Sequence, residues 1–233
     1  MANIPDSYLF DGSYRSLRRA TRDPQLPGLI DSLNPLDPTD LILAGVDEAG
    51  RGPLAGPVVA AAVVLPPDPP LFGLRDSKVV PLEQREALYC EILESALAYS
   101  VAVVENHVID SINIFGATME AMRQAISGLS VRPDLVLIDG NARPGSGVIE
   151  RAIVKGDAQS ASIMAASILA KVTRDHIMLE AHEAFPMYGF DEHKGYGCAK
   201  HIEALHRHGP CPLHRMTFEP VRSARGIALS IPY

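Results

Sequence analysis

The stretch Leu41 to Pro53 constrains this chain more than any other. There the apolar run Leu41-Ile42-Leu43-Ala44-Gly45-Val46 meets two adjacent acids, Asp47 and Glu48, followed by the turn Gly50-Arg51-Gly52. A second apolar run, Val58 to Leu65, comes next. The pattern predicts a buried strand over about 41–48 that ends in carboxylates, a tight turn, and a second strand over about 56–65. Carboxylates at the mouth of a sheet are costly unless a cation sits against them, and hard oxygen donors suit magnesium and manganese. Side chains alternate along a strand, so Asp47 and Glu48 cannot both face one ion from regular geometry. Either the backbone bends at Glu48, or Glu48 acts through its carbonyl or through the substrate.

Two further acids stand where a strand ends or a helix begins. Leu135-Val136-Leu137-Ile138 reads as a buried strand running into Asp139-Gly140-Asn141, and Ile149 to Val154 as another leading to Lys155-Gly156-Asp157. Four acids from three segments can hold two metal ions about 4 Å apart, which suits in-line displacement at phosphorus. Taken singly, each acid has a blander role, as a turn residue, a helix-start acid or a surface acid. A Gly-Arg-Gly turn is common too; its weight comes from lying two residues beyond the paired acids. There its backbone N–H groups and guanidinium suit a phosphate or a sugar hydroxyl.

The remaining pattern predicts helices over about 81–97, 113–127, 160–183 and 199–208, and a short strand over about 100–105. Alternating strands and helices, with strands apolar on both faces, argue for an α/β sheet covered by helices. Residues 1–40, rich in Pro, Asp and Ser, read as a partly ordered N-terminal extension. Residues 41–185 read as the catalytic domain, and 186–233 as a small C-terminal helical appendage. With 233 residues, 47% of them hydrophobic, a sizeable core is expected. A net charge of −7 argues against broad charge-driven nucleic-acid binding but leaves room for a local basic face. No apolar run reaches membrane-spanning length, no secretory leader pattern opens the chain, and its three cysteines are odd in number, so a cytoplasmic protein is expected.

The residues also carry a family resemblance. Ala44 to Val58, Asp76-Ser77-Lys78, Ile138 to Asn141, Lys155 to Ala158, Ala165 to Asp175, His193-Lys194-Gly195-Tyr196 and Gly209 to Arg215 resemble, in order, the motifs of bacterial type 2 ribonuclease H, the ribonuclease HII family. The resemblance implies a ribonuclease H-like five-stranded mixed sheet flanked by helices, with a C-terminal helical segment that completes the substrate cleft. It implies a monomer that hydrolyses the RNA strand of RNA–DNA hybrids and cuts 5′ of single ribonucleotides in duplex DNA, leaving 3′-hydroxyl and 5′-phosphate ends. Its catalytic metal ligands, for Mn2+ or Mg2+ and with two ions in the substrate complex, would be Asp47, Glu48, Asp139 and Asp157. Gly50, Arg51, Gly52 and Tyr196 would contact the substrate, the turn reading the ribose 2′-hydroxyl. Pro81 and Cys198 depart from the small hydroxyl residues expected there. Nine basic residues are candidates to hold the duplex: Lys78, Arg123, Lys155, Lys171, Arg174, Lys194, Lys200, Arg207 and Arg215.

The sequence also fits three rival readings. Cys198 and His201, with Cys211 and His214, have spacings compatible with tetrahedral zinc. A non-enzymatic hybrid-binding module, or another two-metal nuclease on the same fold, are the others. Tyr196 has a blander role as a core aromatic after a glycine turn.

Overall fold

The computed structural model describes residues 6–15, 41–67, 74 and 81–224. The expected Asp76-Ser77-Lys78 motif, and most of the N-terminal extension, lie outside the described residues. In chain order the elements are α1 (Asp6–Arg15), β1 (Leu43–Ala49), β2 (Val58–Val64), α2 (Leu82–Ser95), β3 (Ala98–Val104), α3 (Asn106–Ser127), β4 (Leu135–Asp139), β5 (Ile149–Ile153), a 3-10 turn (Gly156–Ala158), α4 (Ala161–Ala184), α5 (Phe190–His193), α6 (Ala199–His208) and α7 (Val221–Ala224). A second 3-10 turn, Pro186–Tyr188, precedes α5.

The five strands form one mixed sheet in the order β3-β2-β1-β4-β5. β1 pairs antiparallel with β2, and β2 with β3. β1 pairs parallel with β4, and β4 with β5. The parallel trio explains where the acids lie: β1, β4 and β5 all end at one edge of the sheet, so Asp47-Glu48, Asp139 and Asp157 emerge there together. Ligand sites in α/β sheets form at such carboxyl ends.

β2 is buried along its whole length, and its alternation divides two cores. Val58, Ala60, Ala62 and Val64 pack with Ala117, Met122 and Ile126 of α3. Val59, Ala61 and Val63 pack with Leu88 and Ile92 of α2 and with Ala165, Ile168 and Leu169 of α4. On β1, Gly45 lets α4 come against the sheet: a Cβ built there would sit 2.1 Å from the Ser162 carbonyl carbon. This close approach sets the start of α4 beside Asp47.

The helix expected over 113–127 begins earlier, at Asn106, but breaks at its predicted start. Asn113 has φ 60 and ψ 168, and its Oδ1 accepts from the Gly116 N–H at 3.0 Å. An asparagine there tolerates positive φ and caps the helix that follows. Pro81 precedes α2 without a side-chain cap bond, and Cys198 does the same for α6. α1 was not expected; it packs on α4 and β1, with Tyr8, Asp11 and Arg15 buried. Among the described residues no helix is long and apolar enough to cross a membrane.

The segment after α4 is laced to the loop after β1. Leu54 N–H donates to Gly195 O at 2.8 Å, Gly56 N–H to Leu213 O at 2.9 Å, and Arg215 N–H to Leu54 O at 2.8 Å. On α3, the Asp110 carboxylate accepts from the Met216 and Thr217 N–H groups at 2.8 and 2.9 Å.

Candidate active site

At the carboxyl edge of the sheet, Asp47, Asp139 and Asp157 each place a carboxylate oxygen within 4.8 Å of the others. Asp47 ends the inner part of β1 and is 5% exposed. Its Oδ1 accepts from the Glu48 N–H at 2.7 Å, and its carboxyl also takes a hydrogen bond from Ser167 on α4. Asp139 closes β4, and its Oδ1 accepts from the Gly156 and Asp157 N–H groups at 2.7 and 3.3 Å. Asp157 sits in the 3-10 turn that those bonds pin to β4, not in the helix that follows.

Burial holds the Asp47 carboxyl well above the usual carboxylate range, and the neighbouring charges of Glu48 and Asp139 add to the effect. Three acids this close cannot all ionise cheaply without a counter-cation. The donor set is all carboxylate oxygen and fits a hard divalent cation better than a soft one.

Glu48 resolves one ambiguity of the sequence. β1 keeps its ladder through Glu48↔Ala60 and Ala49↔Val59, so the backbone does not bend there. The Glu48 side chain therefore leaves the strand on the face opposite Asp47. It reaches Arg51, with Oε1 3.3 Å from Nη1. Glu48 still lines the same cleft of about 240 Å³, with Asp47, Asp139, Gly50, Arg51, Gly52, Ser167, Lys171 and Tyr196.

The Gly-Arg-Gly turn and the loop that follows it are held from beneath by two buried arginines. Arg215 donates to the carbonyls of Gly50 (2.5 Å), Arg51 (2.9 Å), Gly56 (3.0 Å) and Pro57 (3.2 Å). Arg174 donates to Ala55, Pro57 and Lys194 carbonyls at 3.0 to 3.1 Å. Gly50 has φ +97, and a Cβ there would sit 2.2 Å from Arg174 Nε, so only glycine fits. These two arginines correct an expectation: at 1% and 0% exposure, Arg174 and Arg215 cannot hold a duplex. Burial pushes the Arg215 guanidinium down to about 9, with repulsion from Arg174 second. Ser167, Arg174 and Arg215 as supports of the site were missed, because the sequence gives no sign that a basic or hydroxyl residue points inward.

Tyr196 is not a core aromatic: it is 46% exposed at the cleft, with the Arg174 guanidinium 5.9 Å from its ring centre. Its backbone is fixed by a chain of imidazoles. The Cys211 N–H donates to His214 Nδ1 at 3.0 Å, which leaves His214 Nε2 to donate to His201 Nε2 at 3.1 Å. His201 Nδ1 then donates to the Tyr196 carbonyl at 2.9 Å. Only this tautomer pair satisfies all three bonds, and both rings must be neutral. The zinc reading fails here. The two imidazoles are spent on each other, Cys198 is exposed at the start of α6, and among the described residues the aspartate trio is the only metal-ligating cluster.

The chain should therefore be acid-sensitive at this relay. Burial, then repulsion from His201, lowers His214 from 6.5 to about 4, so the unfolded state takes the proton first. The stability tied to neutral His214 is whole above about pH 6.5 and is lost as pH falls toward 4, at most about 3 kcal/mol. In thermal melts between pH 7 and 4, His214→Gln is expected to start lower than wild type but to fall less steeply.

Comparison with known proteins gives the lineage. A model of the ribonuclease HII family matches residues 44–221. The ribonuclease HII of Burkholderia mallei is 60% identical over 183 residues, covering 78% of this chain and 86% of that protein. The ribonuclease HII of Burkholderia thailandensis is 58% identical over the same length. The solved ribonuclease H2 of Pyrococcus horikoshii OT3 is 26% identical, with a TM-score of 0.66, over 81% of this chain and 99% of that one. Sheet order, acid cluster and these matches agree, and the chain belongs to the ribonuclease HII family, as a ribonuclease H endonuclease acting on nucleic acid.

Proposed function

We propose that the protein hydrolyses the RNA strand of RNA–DNA hybrids and cuts duplex DNA on the 5′ side of single embedded ribonucleotides, using divalent metal at the aspartate cluster. The observation that carries this reading is the juxtaposition, in one cleft, of the acid cluster with the Gly50-Arg51-Gly52 turn and Tyr196. Hydrolysis and a sugar check can then act on adjacent nucleotides.

Asp47, Asp139 and Asp157 would hold the metal, with Glu48 as the fourth carboxylate in the cleft. When bound, Mn2+ or Mg2+ supplies Lewis acidity at the scissile phosphate and eases loss of a proton from the attacking water. The chain's residues do the rest. Asp139 accepts two N–H bonds that hold the Asp157 turn at a fixed distance from β4. Arg51, whose side chain is half exposed, balances Glu48 until substrate arrives.

The turn's backbone suits a 2′-hydroxyl. Its Gly50 and Arg51 carbonyls point inward to Arg215. In a planar trans peptide the N–H lies opposite the carbonyl, so the Arg51 and Gly52 N–H groups face away from Arg215. Two adjacent N–H groups form a small nest for oxygen, and the 2′-hydroxyl is the group that distinguishes ribose from deoxyribose. Tyr196 offers a flat face to the next sugar, and a side chain on Gly52 would already meet its ring at 3.6 Å. Of the segment expected over 186–233, the described residues 186–224 contribute Tyr196 to the cleft.

Tyr196→Ala is expected to lower cleavage of the single-ribonucleotide duplex about 10-fold or more while shifting the melting temperature little, because the ring is exposed. Parallel losses of stability and activity would contradict this. The substrate reading itself is tested with three matched duplexes: all DNA, one ribonucleotide, and one 2′-O-methyl ribonucleotide. Only the second should be cut.

A further inference from the structure

The helix α1 lies outside residues 44–221, the part matched to the family, yet it carries a buried aspartate with an unusual set of partners. Asp11 is 1% exposed. Its Oδ1 accepts from Ser160 Oγ at 2.6 Å, and its Oδ2 accepts from the Ser162 N–H at 2.8 Å and Ser162 Oγ at 2.7 Å. Every one of these partners belongs to the start of α4. Ser160 caps that helix in turn, accepting from the Ile163 N–H at 3.2 Å. A helix start leaves four N–H groups unpaired and favours negative charge, so a buried carboxylate finds compensation there.

This start of α4 sits between two fixed surfaces and next to an acid of the site. On one side Ser162 packs its backbone on Gly45, two residues before Asp47. On the other stands Asp11. Immediately before it, the Ser160 N–H donates to Gly156 O at 2.9 Å, tying the cap to the turn that carries Asp157. α1 is itself anchored: Arg15 Nη2 donates to Leu65 O at 2.8 Å, the Leu41 N–H donates to Arg15 O at 3.2 Å, and Phe10 and Tyr14 pack against Leu43, Ile153 and Ile163.

We propose that Asp11 is a positioning residue for the metal site: through Ser160 and Ser162 it clamps the start of α4 onto β1 and so fixes the turn that presents Asp157. The proposal rests on the reading of Asp157 as a metal ligand. Asp11 touches neither metal nor substrate. Its effect should appear in metal affinity and turnover more than in substrate KM, since the duplex-facing turn at Gly50-Arg51-Gly52 hangs from Arg215, on other bonds.

The test uses the full chain and titrates Mn2+ into the metal-free protein by calorimetry, beside melting curves and steady-state kinetics. Asp11→Ala is expected to weaken Mn2+ binding about 10-fold and to lower kcat by a similar factor, with KM nearly unchanged. Asp11→Asn keeps one acceptor and should fall between, which preserves the test if the alanine variant folds poorly. Leu88→Ala, on the buried face of α2, is the control that lowers stability while leaving Asp11, Ser160 and Ser162 in place. If Asp11→Ala and Asp11→Asn bind Mn2+ as wild type does, while Asp157→Asn binds it weakly, the proposal is overturned and the ligand reading stands. If Asp157→Asn binds Mn2+ as wild type does, both are overturned. A loss of affinity in Leu88→Ala equal to that in Asp11→Ala also overturns the proposal.

Discussion

Asp47→Asn is expected to abolish cleavage, by about 1,000-fold or more, and at the same time to raise the melting temperature of the metal-free protein. The two effects have one cause. Asp47 is buried beside Glu48 and Asp139, and burial followed by those charges raises its carboxyl well above 3.8. For an acid raised in the folded state, the native form holds the proton more tightly than the unfolded form. Its ionisation therefore costs stability, and the cost appears as pH rises through the folded-state value. At neutral pH an amide removes that cost, so the metal-free variant should melt above wild type. Metal should reverse the ranking. Mn2+ stabilises wild type by binding its native state, and much less the variant that lacks a ligand. Differential scanning calorimetry with chelator and then with Mn2+ reads both halves. Hybrid binding by Asp47→Asn should remain measurable, because the turn and Tyr196 are intact. A variant as active as wild type, with an unchanged melt, would remove Asp47 from the site.

The second large effect is at Arg215, on stability and selectivity together. Its guanidinium serves four carbonyls in the Gly50–Pro57 loop and lies 5.1 Å from the Phe218 ring centre. Arg215→Ala would leave those buried acceptors without their donor, at a cost of about 3–5 kcal/mol. That is a fall of roughly 6–20 °C in melting temperature. Arg215→Lys should not restore it, since one ammonium cannot span the set that a planar fork reaches. At temperatures where the variant stays folded, cleavage of the single-ribonucleotide duplex should fall further than cleavage of a long hybrid. The long hybrid offers a ribose at every register, and the single ribonucleotide depends on one correct placement of the turn. Equal losses on both substrates would mean that the turn does not check the sugar.

These two residues mark what the sequence could and could not say. Asp47 was legible because an acid at the end of an apolar run has few inexpensive explanations, and Asp139 repeats the pattern. A helix-covered α/β sheet followed from strands apolar on both faces, its five mixed strands from the family resemblance alone, and the α6 range matches its expected bounds. Arg174 and Arg215 read as surface cations, because nothing local distinguishes an arginine that bonds solvent from one that bonds carbonyls as far as 165 residues away in the chain. The same blindness hid α1. Its segment is short and polar, and what fixes it are Asp11 and Arg15, residues that composition counts as water-facing. Asn113 is an instructive intermediate: the apolar stripe from Ile114 to Ile126 marked a helix from about 113, while the helical turns before the break at Asn113 carried no equally clear signal. Glu48 shows the remaining limit. Alternation placed it away from Asp47, and only the continuous ladder to Ala49 decided that the backbone does not bend.

The central claim is that metal at Asp47, Asp139 and Asp157 drives hydrolysis beside a ribose that the Gly50-Arg51-Gly52 turn selects. The most direct measurement is cleavage of an end-labelled DNA duplex holding one ribonucleotide, with Mn2+ or Mg2+ and then with chelator, for wild type and Asp139→Asn. The prediction is one cut on the 5′ side of the ribonucleotide, leaving 3′-hydroxyl and 5′-phosphate ends, in wild type with metal alone. Cleavage that persists in chelator or in Asp139→Asn, or a cut on the 3′ side that uses the ribose hydroxyl itself as nucleophile, would contradict it.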